Sequence, residues 1–319
     1  SKEASDKVRS FVGGKLKINA DGTLPTELLS GKPVTGFNEN WWVGLSMLHQ
    51  IFTKEHNAIA TMLKQKYPTK NDQWIYDRAR LINSALMAKI HTVEWTPALI
   101  ANPVTERAMY ANWWGLTGER ANRDKYQAEV KKIKEDLAKT DSFLSRLLGF
   151  NPNTSDGVGT TFIDHALGGL VGSAATDNAG VPYTLTEEFV AVYRMHPLLR
   201  DNVEVYDVGS NVLNKKVAIE NTRDRDAENM LNSERPDRLW YSFGITHPGA
   251  LTLNNYPNFL RNLSIPLVGQ IDLAMTDILR DRERGVPRYN EFRRQIRLKP
   301  ITKFEDLTTD AATLTKLKT

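Results

Sequence analysis

The sequence predicts a mainly α-helical fold, and three observations carry that reading. Apolar residues recur at three, four and seven positions through long stretches. Runs that alternate in the manner of strands are few. Several of the periodic stretches stop at a proline or glycine, as helices do. The composition agrees: of 319 residues, 40% are hydrophobic and 25% charged, enough to bury a sizeable core.

Residues 1–36 differ in character from the rest of the chain. GGKLKINADGTLPTE alternates about a turn at Asp21-Gly22, which predicts a short hairpin or extended arm. From Asn38 to about Lys66 the residues Trp41, Leu45, Leu48, Phe52 and Ile59 mark one face of a long helix. Asn38 or Asn40 is available to cap it, and Tyr67-Pro68 stops it. A second helix is expected from about Asn71 to Ile100, kinked at Pro97, and a third from Thr105 to Leu116. A fourth spans 124–148, with a glycine-rich loop after it over 149–183.

The stretch Thr184 to Asp201, TLTEEFVAVYRMHPLLRD, reads as a short helix with a capping box from Thr184 to Glu187. Asn202 to Ile219 looks extended, with a hairpin as its simplest form. The polar segment to Arg238 leads into short helical pieces at Leu239–Phe243 and Asn254–Leu263. A last long helix from about Val268 to Arg284 is stopped by Gly285 and Pro287, and YNEFRRQIRL forms another short helix. The expected organisation is an N-terminal arm over 1–36 and a helical core over 37–319. Both ends are polar and look unfinished, which fits frayed termini and a piece of a longer protein equally well.

Composition excludes several chemistries. The formal charge is +4, but acids and bases interleave, as in Arg223-Asp224-Arg225-Asp226, and form no nucleic-acid-binding stripe. With no cysteine there is no disulfide, thiolate ligand or cysteine nucleophile. No run is apolar over the ~18 residues of a membrane span, and the first residues have no apolar signal-peptide region. A cytoplasmic or peripheral enzyme is expected, not a disulfide-rich secreted one. The glycine-rich loop lacks both GxxxxGK[ST] and a strand-anchored GxGxxG, which argues against nucleotide binding. Among the six histidines there is no HExxH and no i, i+4 pair, which argues against a mononuclear zinc enzyme. His49 and His56 share a helix face, one expected at the core rim and the other in solvent.

Tyr193 and His196 lie three apart, a spacing that brings Cβ atoms to about 5–6 Å on one helix face. His196 precedes Pro197 and so stands at a helix C-terminus, where unpaired carbonyls make an imidazole more basic. The spacing alone fits a tyrosine–histidine pair bonded to backbone in a core just as well.

Four segments, in order, carry more information. They are LHQIFTKEHNAIA (48–60), IHTVEWTPALI (90–100), VYRMHPLLRDN (192–202) and RDRERGVPRYNEFRR (280–294). Together they resemble the animal-type haem peroxidase–cyclooxygenase superfamily over roughly residues 8–310, and most closely its fatty-acid α-dioxygenases. The resemblance implies a haem-peroxidase-like, cyclooxygenase-like helical fold, incomplete at both ends, and a haem-dependent oxidoreductase. It implies haem b with His196 as proximal iron ligand and Tyr193 as the radical residue. Asp277 falls where the peroxidases place a partner for that histidine, though a surface aspartate on the last helix fits its position too. Arg280, Arg282 and Arg284 are implied as partners of the haem propionates. His91 and Thr96 are implied as holders of a fatty-acid carboxylate.

The reaction implied is removal of the α-hydrogen of a long-chain fatty acid by the tyrosyl radical. O2 then adds to give a 2-hydroperoxy fatty acid, with a peroxide as activator. The family's distal histidine, its calcium loop and its substrate arginine align outside this sequence. Calcium and a distal-haem segment are therefore expected elsewhere in a longer chain or in another chain. Two other readings stay open: another peroxidase or a mid-chain oxygenase of the superfamily, and a helical interaction module without haem.

Overall fold

The computed structural model describes residues 2–115, 169, 185–265 and 267–319. The helix expected at 124–148, the loop over 149–183 except Gly169, and Thr184 lie outside these residues. Backbone proximity divides the chain into two compact units, one of residues 1–10, 16–54 and 184–319, the other of residues 11–15 and 55–183. Helices dominate the described residues, as the periodicity predicts.

In the first unit, helix α1 (Lys2–Val8) opens the chain. Isolated bridges Arg9–Leu16 and Thr26–Pro33 come next. The Asp21-Gly22 turn forms: the Asn19 amide donates to the Thr23 carbonyl at 2.9 Å. Gly22 sits at φ +84°, a conformation glycine adopts without steric cost.

Helix α2 (Val43–Lys66) begins in this unit, and its residues from Glu55 on belong to the second. It starts later than the sequence places it, and neither Asn38 nor Asn40 caps it. The Trp42 carbonyl accepts the first helical amides, from Leu45 and Ser46 at 2.9 and 3.1 Å. Packing decides the start. Trp41 is fully buried, and its indole N–H donates to Ser46 Oγ at 2.7 Å and to Glu228 Oε1 at 3.3 Å. A tryptophan anchored in the core in this way cannot also begin a surface-facing helical turn. Trp41 joins Val43, Met47, Val203, Val205 and Leu239 in the main core cluster.

Strands β1 (Asn202–Tyr206) and β2 (Leu213–Ala218) form the expected hairpin, antiparallel, with Val203 opposite Val217. The polar segment after it holds a helix over Arg225–Ser233, with Ala227, Met230 and Leu231 at helical spacing. Its inner face consists of Ala227, Glu228, Met230 and Leu231, so a buried carboxylate interrupts the apolar pattern. Glu228 is tolerated there because Trp41 and Ser46 both donate to it.

In chain order the remaining helices of this unit are α6 (Glu187–Val192), α7 (Arg225–Ser233), α8 (Pro236–Ile245), α9 (Asn258–Arg261), α10 (Leu273–Glu283), α11 (Tyr289–Gln295) and α12 (Ala311–Lys318). Two bounds differ from expectation. Residues Gly269–Ile271 form strand β4 against β3 (Leu263–Ile265), so α10 starts at Leu273 and not near Val268. Asp272 sets that start by accepting the Met275 amide at 3.1 Å. The polar chain end is helical, with Asp310 as cap, although its sequence offers no apolar stripe.

The second unit is built on α3 (Asp72–Ile90), capped by Asn71, whose side chain accepts from the Trp74 amide at 2.9 Å. Ile75 and Ala79 of α3 pack on Ile59, Ala60 and Leu63. A π-helical turn (His91–Trp95), α4 (Thr96–Leu99) and α5 (Pro103–Trp114) continue from it. His56 is 1% exposed, and its Nε2 lies 2.9 Å from the Gly14 carbonyl. His49, in the first unit, is half-buried with Nδ1 2.9 Å from the Leu45 carbonyl. Neither faces solvent as one was expected to, because each imidazole finds a backbone carbonyl.

Leu239 is fully buried in the main cluster, whereas Leu28 is 96% exposed. Leu239→Ala should therefore cost about 2–5 kcal/mol in denaturant unfolding, and Leu28→Ala should change stability by less than about 0.5 kcal/mol.

Candidate active site

The site is built around a break in the backbone. Helix α6 is capped by Thr186, whose hydroxyl accepts from the Phe189 amide at 3.2 Å, and it ends at Val192. The expected Thr184–Glu187 capping box includes a residue outside those described. Tyr193 is the C-terminal cap residue, and a 3₁₀ turn covers His196–Leu198. Tyr193 and His196 therefore do not share one α-helical face, as their spacing predicts. Pro197 is the cause: it has no amide to donate and disfavours α geometry for the residue before it. The ladder gives way to short-range bonds, from the Leu198 amide to Met195 and from the Leu199 amide to His196, both at 3.0 Å. With the α-helix already ended, its terminal carbonyls give no support for a more basic His196.

The turn is held from outside. The Gly249 amide donates to the Leu198 carbonyl at 3.0 Å, and Asn255 Nδ2 donates to the Pro197 carbonyl at 3.3 Å. Gly249 lies so close that a Cβ there would fall 1.9 Å from the Pro197 oxygen. Only glycine permits that approach.

His196 faces a buried carboxylate. Its Nδ1 is buried and makes no ordinary hydrogen bond among the described residues, and Asp277 Oδ2 lies 3.5 Å away. Asp277, on α10, is 8% exposed, so it is not the surface aspartate that its place on the last helix allows. Its other oxygen accepts from Arg194 Nη1 at 2.7 Å. Loss of water is the main influence on the imidazole and pulls its pKa below the usual value; Asp277 opposes this and Arg194 reinforces it. The Tyr256 ring packs on His196 with centroids 5.7 Å apart. The Tyr256 hydroxyl is buried without a hydrogen-bond partner among the described residues. Burial first, then the Asp277 charge, pushes its phenol up to about 12.

Two cavities meet His196. An open one of about 600 Å³ is lined by Phe189, Tyr193, Arg194 and His196. Tyr193 is 43% exposed, and its ring stacks on Phe189 at 5.1 Å. A second, of about 490 Å³, is lined by His196, Trp42, Leu199, Arg223, Thr276 and Arg280. Neither Arg223 nor Arg280 has a carboxylate partner among the described residues, so both can receive an acidic group. Arg282 and Arg284 do not line this cavity, and Arg284 is engaged by Glu187 at 2.7 Å.

Arg194, Arg223 and Tyr256 were not singled out by sequence. Arg194 lies inside the VYRMHPLLRDN segment, between Tyr193 and His196, and that adjacency is its one local signal. Arg223 looks like part of a neutral charge run, and Tyr256 has no local signal at all.

His91 and Thr96 lie in the second unit. They stand at the start of the π turn and just past its end: the Thr96 amide donates to the His91 carbonyl, and the Thr96 hydroxyl donates to it at 2.8 Å. In an α-helix residues five apart point about 140° away from each other. The wider turn brings them back toward one face, and such turns recur at functional sites. Pro97 accounts for it, since it cannot supply the amide that an α-helix would send to Val93. The expected kink is absorbed here as a widened turn. His91 stacks on Trp95 with centroids 5.0 Å apart, which orients the imidazole.

Comparison with known proteins bears on what the arrangement is for. A family profile described as animal haem peroxidase matches residues 1–319. Alpha-dioxygenase 2 of Arabidopsis thaliana is 38% identical over 98% of this chain and 46% of its own length. The crystal structure of Oryza sativa fatty acid alpha-dioxygenase with palmitic acid superposes with a TM-score of 0.79 at 36% identity, over all of this chain and 48% of that one. Peroxidase A from Dictyostelium discoideum shares the fold, with a TM-score of 0.60 at 18% identity. The chain spans about half the length of the curated relatives it matches.

Two substitutions test the backbone devices. Gly249→Ala should lose about 1–3 kcal/mol by denaturant unfolding, because a backbone carbonyl must move to admit the methyl group. Pro97→Ala should let the residue 97 amide bond to Val93; hydrogen exchange should show it protected, and a structure of the variant should show the Thr96–His91 bond lost.

Proposed function

The chain belongs to the animal haem peroxidase family, and from that premise we propose that it is the part of a haem-dependent fatty-acid α-dioxygenase that carries the proximal ligand and the radical tyrosine. The observation that carries this is the pairing of His196 with Asp277 beside a cavity that also contains Tyr193. An imidazole whose Nδ1 faces a carboxylate is held in the tautomer that leaves Nε2 for iron.

The residues present fit a haem. The second cavity offers His196 on one side, Trp42 and Leu199 as apolar walls, and the cations Arg223 and Arg280 for carboxylates. We assign the propionates to Arg280, from the expected trio, and add Arg223. Haem b, once activated by a peroxide, would supply the oxidising equivalents.

The chain's own residues do the rest. Tyr193 gives up its phenolic hydrogen and, as a radical, takes the α-hydrogen of a long-chain fatty acid. Its stacking on Phe189 limits the ring to few orientations, which helps the reacting atoms meet. O2 adds to the carbon radical, and the resulting peroxyl radical takes a hydrogen atom back from the Tyr193 phenol, which yields the 2-hydroperoxy acid and restores the tyrosyl radical. His91 and Thr96 hold the carboxylate. The Thr96 hydroxyl now donates to the His91 carbonyl, so it must swing away to donate to a substrate. The palmitic acid in the rice structure supports a fatty acid as substrate class.

In the full-length protein, Tyr193→Phe should abolish α-oxygenation of palmitic acid while leaving the Soret band and peroxidase turnover in place. His196→Ala should remove the Soret shift seen on haemin titration. Unchanged oxygenation in the tyrosine variant would sink the radical assignment.

A further inference from the structure

The carboxylate of Asp277 is shared, and unequally. Arg194 Nη1 holds Oδ1 at 2.7 Å, the length of a charge-assisted bond, while Oδ2 stays 3.5 Å from His196 Nδ1, beyond ordinary hydrogen-bond length. Arg194 Nε is buried without a partner among the described residues, so the guanidinium is committed to Asp277 through one nitrogen. The side chain of Asp277 is 11% exposed and that of Arg194 27%, so water screens this charge pair only weakly.

We propose that Arg194 is a positioning residue for the iron ligand: it aims one oxygen of Asp277 at His196 and draws off part of the charge that oxygen would otherwise lend the imidazole. The proposal rests on the reading of His196 as haem ligand. A carboxylate with a histidine as its sole partner pulls the Nδ1 hydrogen toward itself and drives the ring toward imidazolate, which strengthens donation to the metal. A guanidinium on the opposite oxygen competes for the same charge. Arg194 also stands next to Tyr193 in the backbone, so a residue that acts on the ligand through Asp277 is covalently attached to the residue oxidised. The Tyr256 hydroxyl also lies within reach of the Asp277 charge, which helps raise its phenol, but it meets no partner at full hydrogen-bond geometry among the described residues, so Arg194 has the stronger claim on the carboxylate. Arg280, one helical turn beyond Asp277 on α10, lines the cavity and makes no ion pair with it among the described residues.

The test uses the haem-loaded full-length protein and its R194M, R194K, D277N and R194M/D277N variants. The readouts are the ferrous iron–histidine stretching frequency by resonance Raman and the ferric/ferrous midpoint potential. R194M should raise the frequency and lower the potential, because Asp277 then directs its full charge at Nδ1. D277N should shift both the other way. Adding R194M to D277N should shift neither further, and R194K should fall between wild type and R194M. An R194M holoprotein with both readouts at wild-type values, or one whose shifts persist in the D277N background, overturns the proposal. If R194M alone does not accumulate, R194K and the double variant decide it, since neither leaves a buried carboxylate unpaired. A wild type that gains no Soret band, or one that keeps it in His196→Ala, overturns the ligand reading itself and this inference with it.

Discussion

A proline cannot donate to the α-helical ladder, and each of the two residue pairs that the sequence singles out, one in either unit, sits where that defect is absorbed. At Pro97 the chain absorbs it by widening a turn, and His91 and Thr96 come to stand at the two ends of one bond. At Pro197 the chain absorbs it by ending the α-helix and tightening into a 3₁₀ turn, with Tyr193 before the break and His196 after it. The same missing amide gives opposite local answers. Before Pro97 the helix is long and continues beyond the proline, so an extra residue is accommodated. Before Pro197 the helix is only six residues long, and Gly249 and Asn255 bind the carbonyls of the turn from outside.

Around the second break, burial raises the stakes of every charge. Asp277 is nearly enclosed and is offset by one arginine and one imidazole, with a phenol nearby whose pKa the same burial raises. Burial and the Arg194 charge together favour the neutral form of His196, which is the form able to bind a metal. Glu228 poses the same problem in the main core and solves it without a cation, through two neutral donors. That difference is chemically apt. A carboxylate satisfied by Trp41 and Ser46 fixes a helix start, while one shared between Arg194 and His196 leaves charge available to a neighbour.

The sequence shows much of the fold and the central pair of the site. Helix spacing places most of α2 and α3, the hairpin of β1 and β2, and the stops at Pro68 and Gly285. Its failures have physical causes. α7 is marked only by Ala227, Met230 and Leu231 at helical spacing inside a strongly polar segment, and the start of α10 is displaced because residues 269–271 pair with a strand that lies earlier in the chain. The start of α2 is set by where Trp41 is buried, which local propensity cannot report.

By itself the amino-acid order determines which residues can do chemistry: a tyrosine and a histidine three apart before a proline, and a histidine and threonine five apart before another. It also determines the family, because four short segments recur in order. Only the tertiary structure decides what those residues face. The proximity of Arg194 to Asp277, of Asp277 to His196 and of Tyr256 to both joins positions far apart in the chain. Such contacts arise from how helices pack, and packing leaves no mark on the spacing of any one segment.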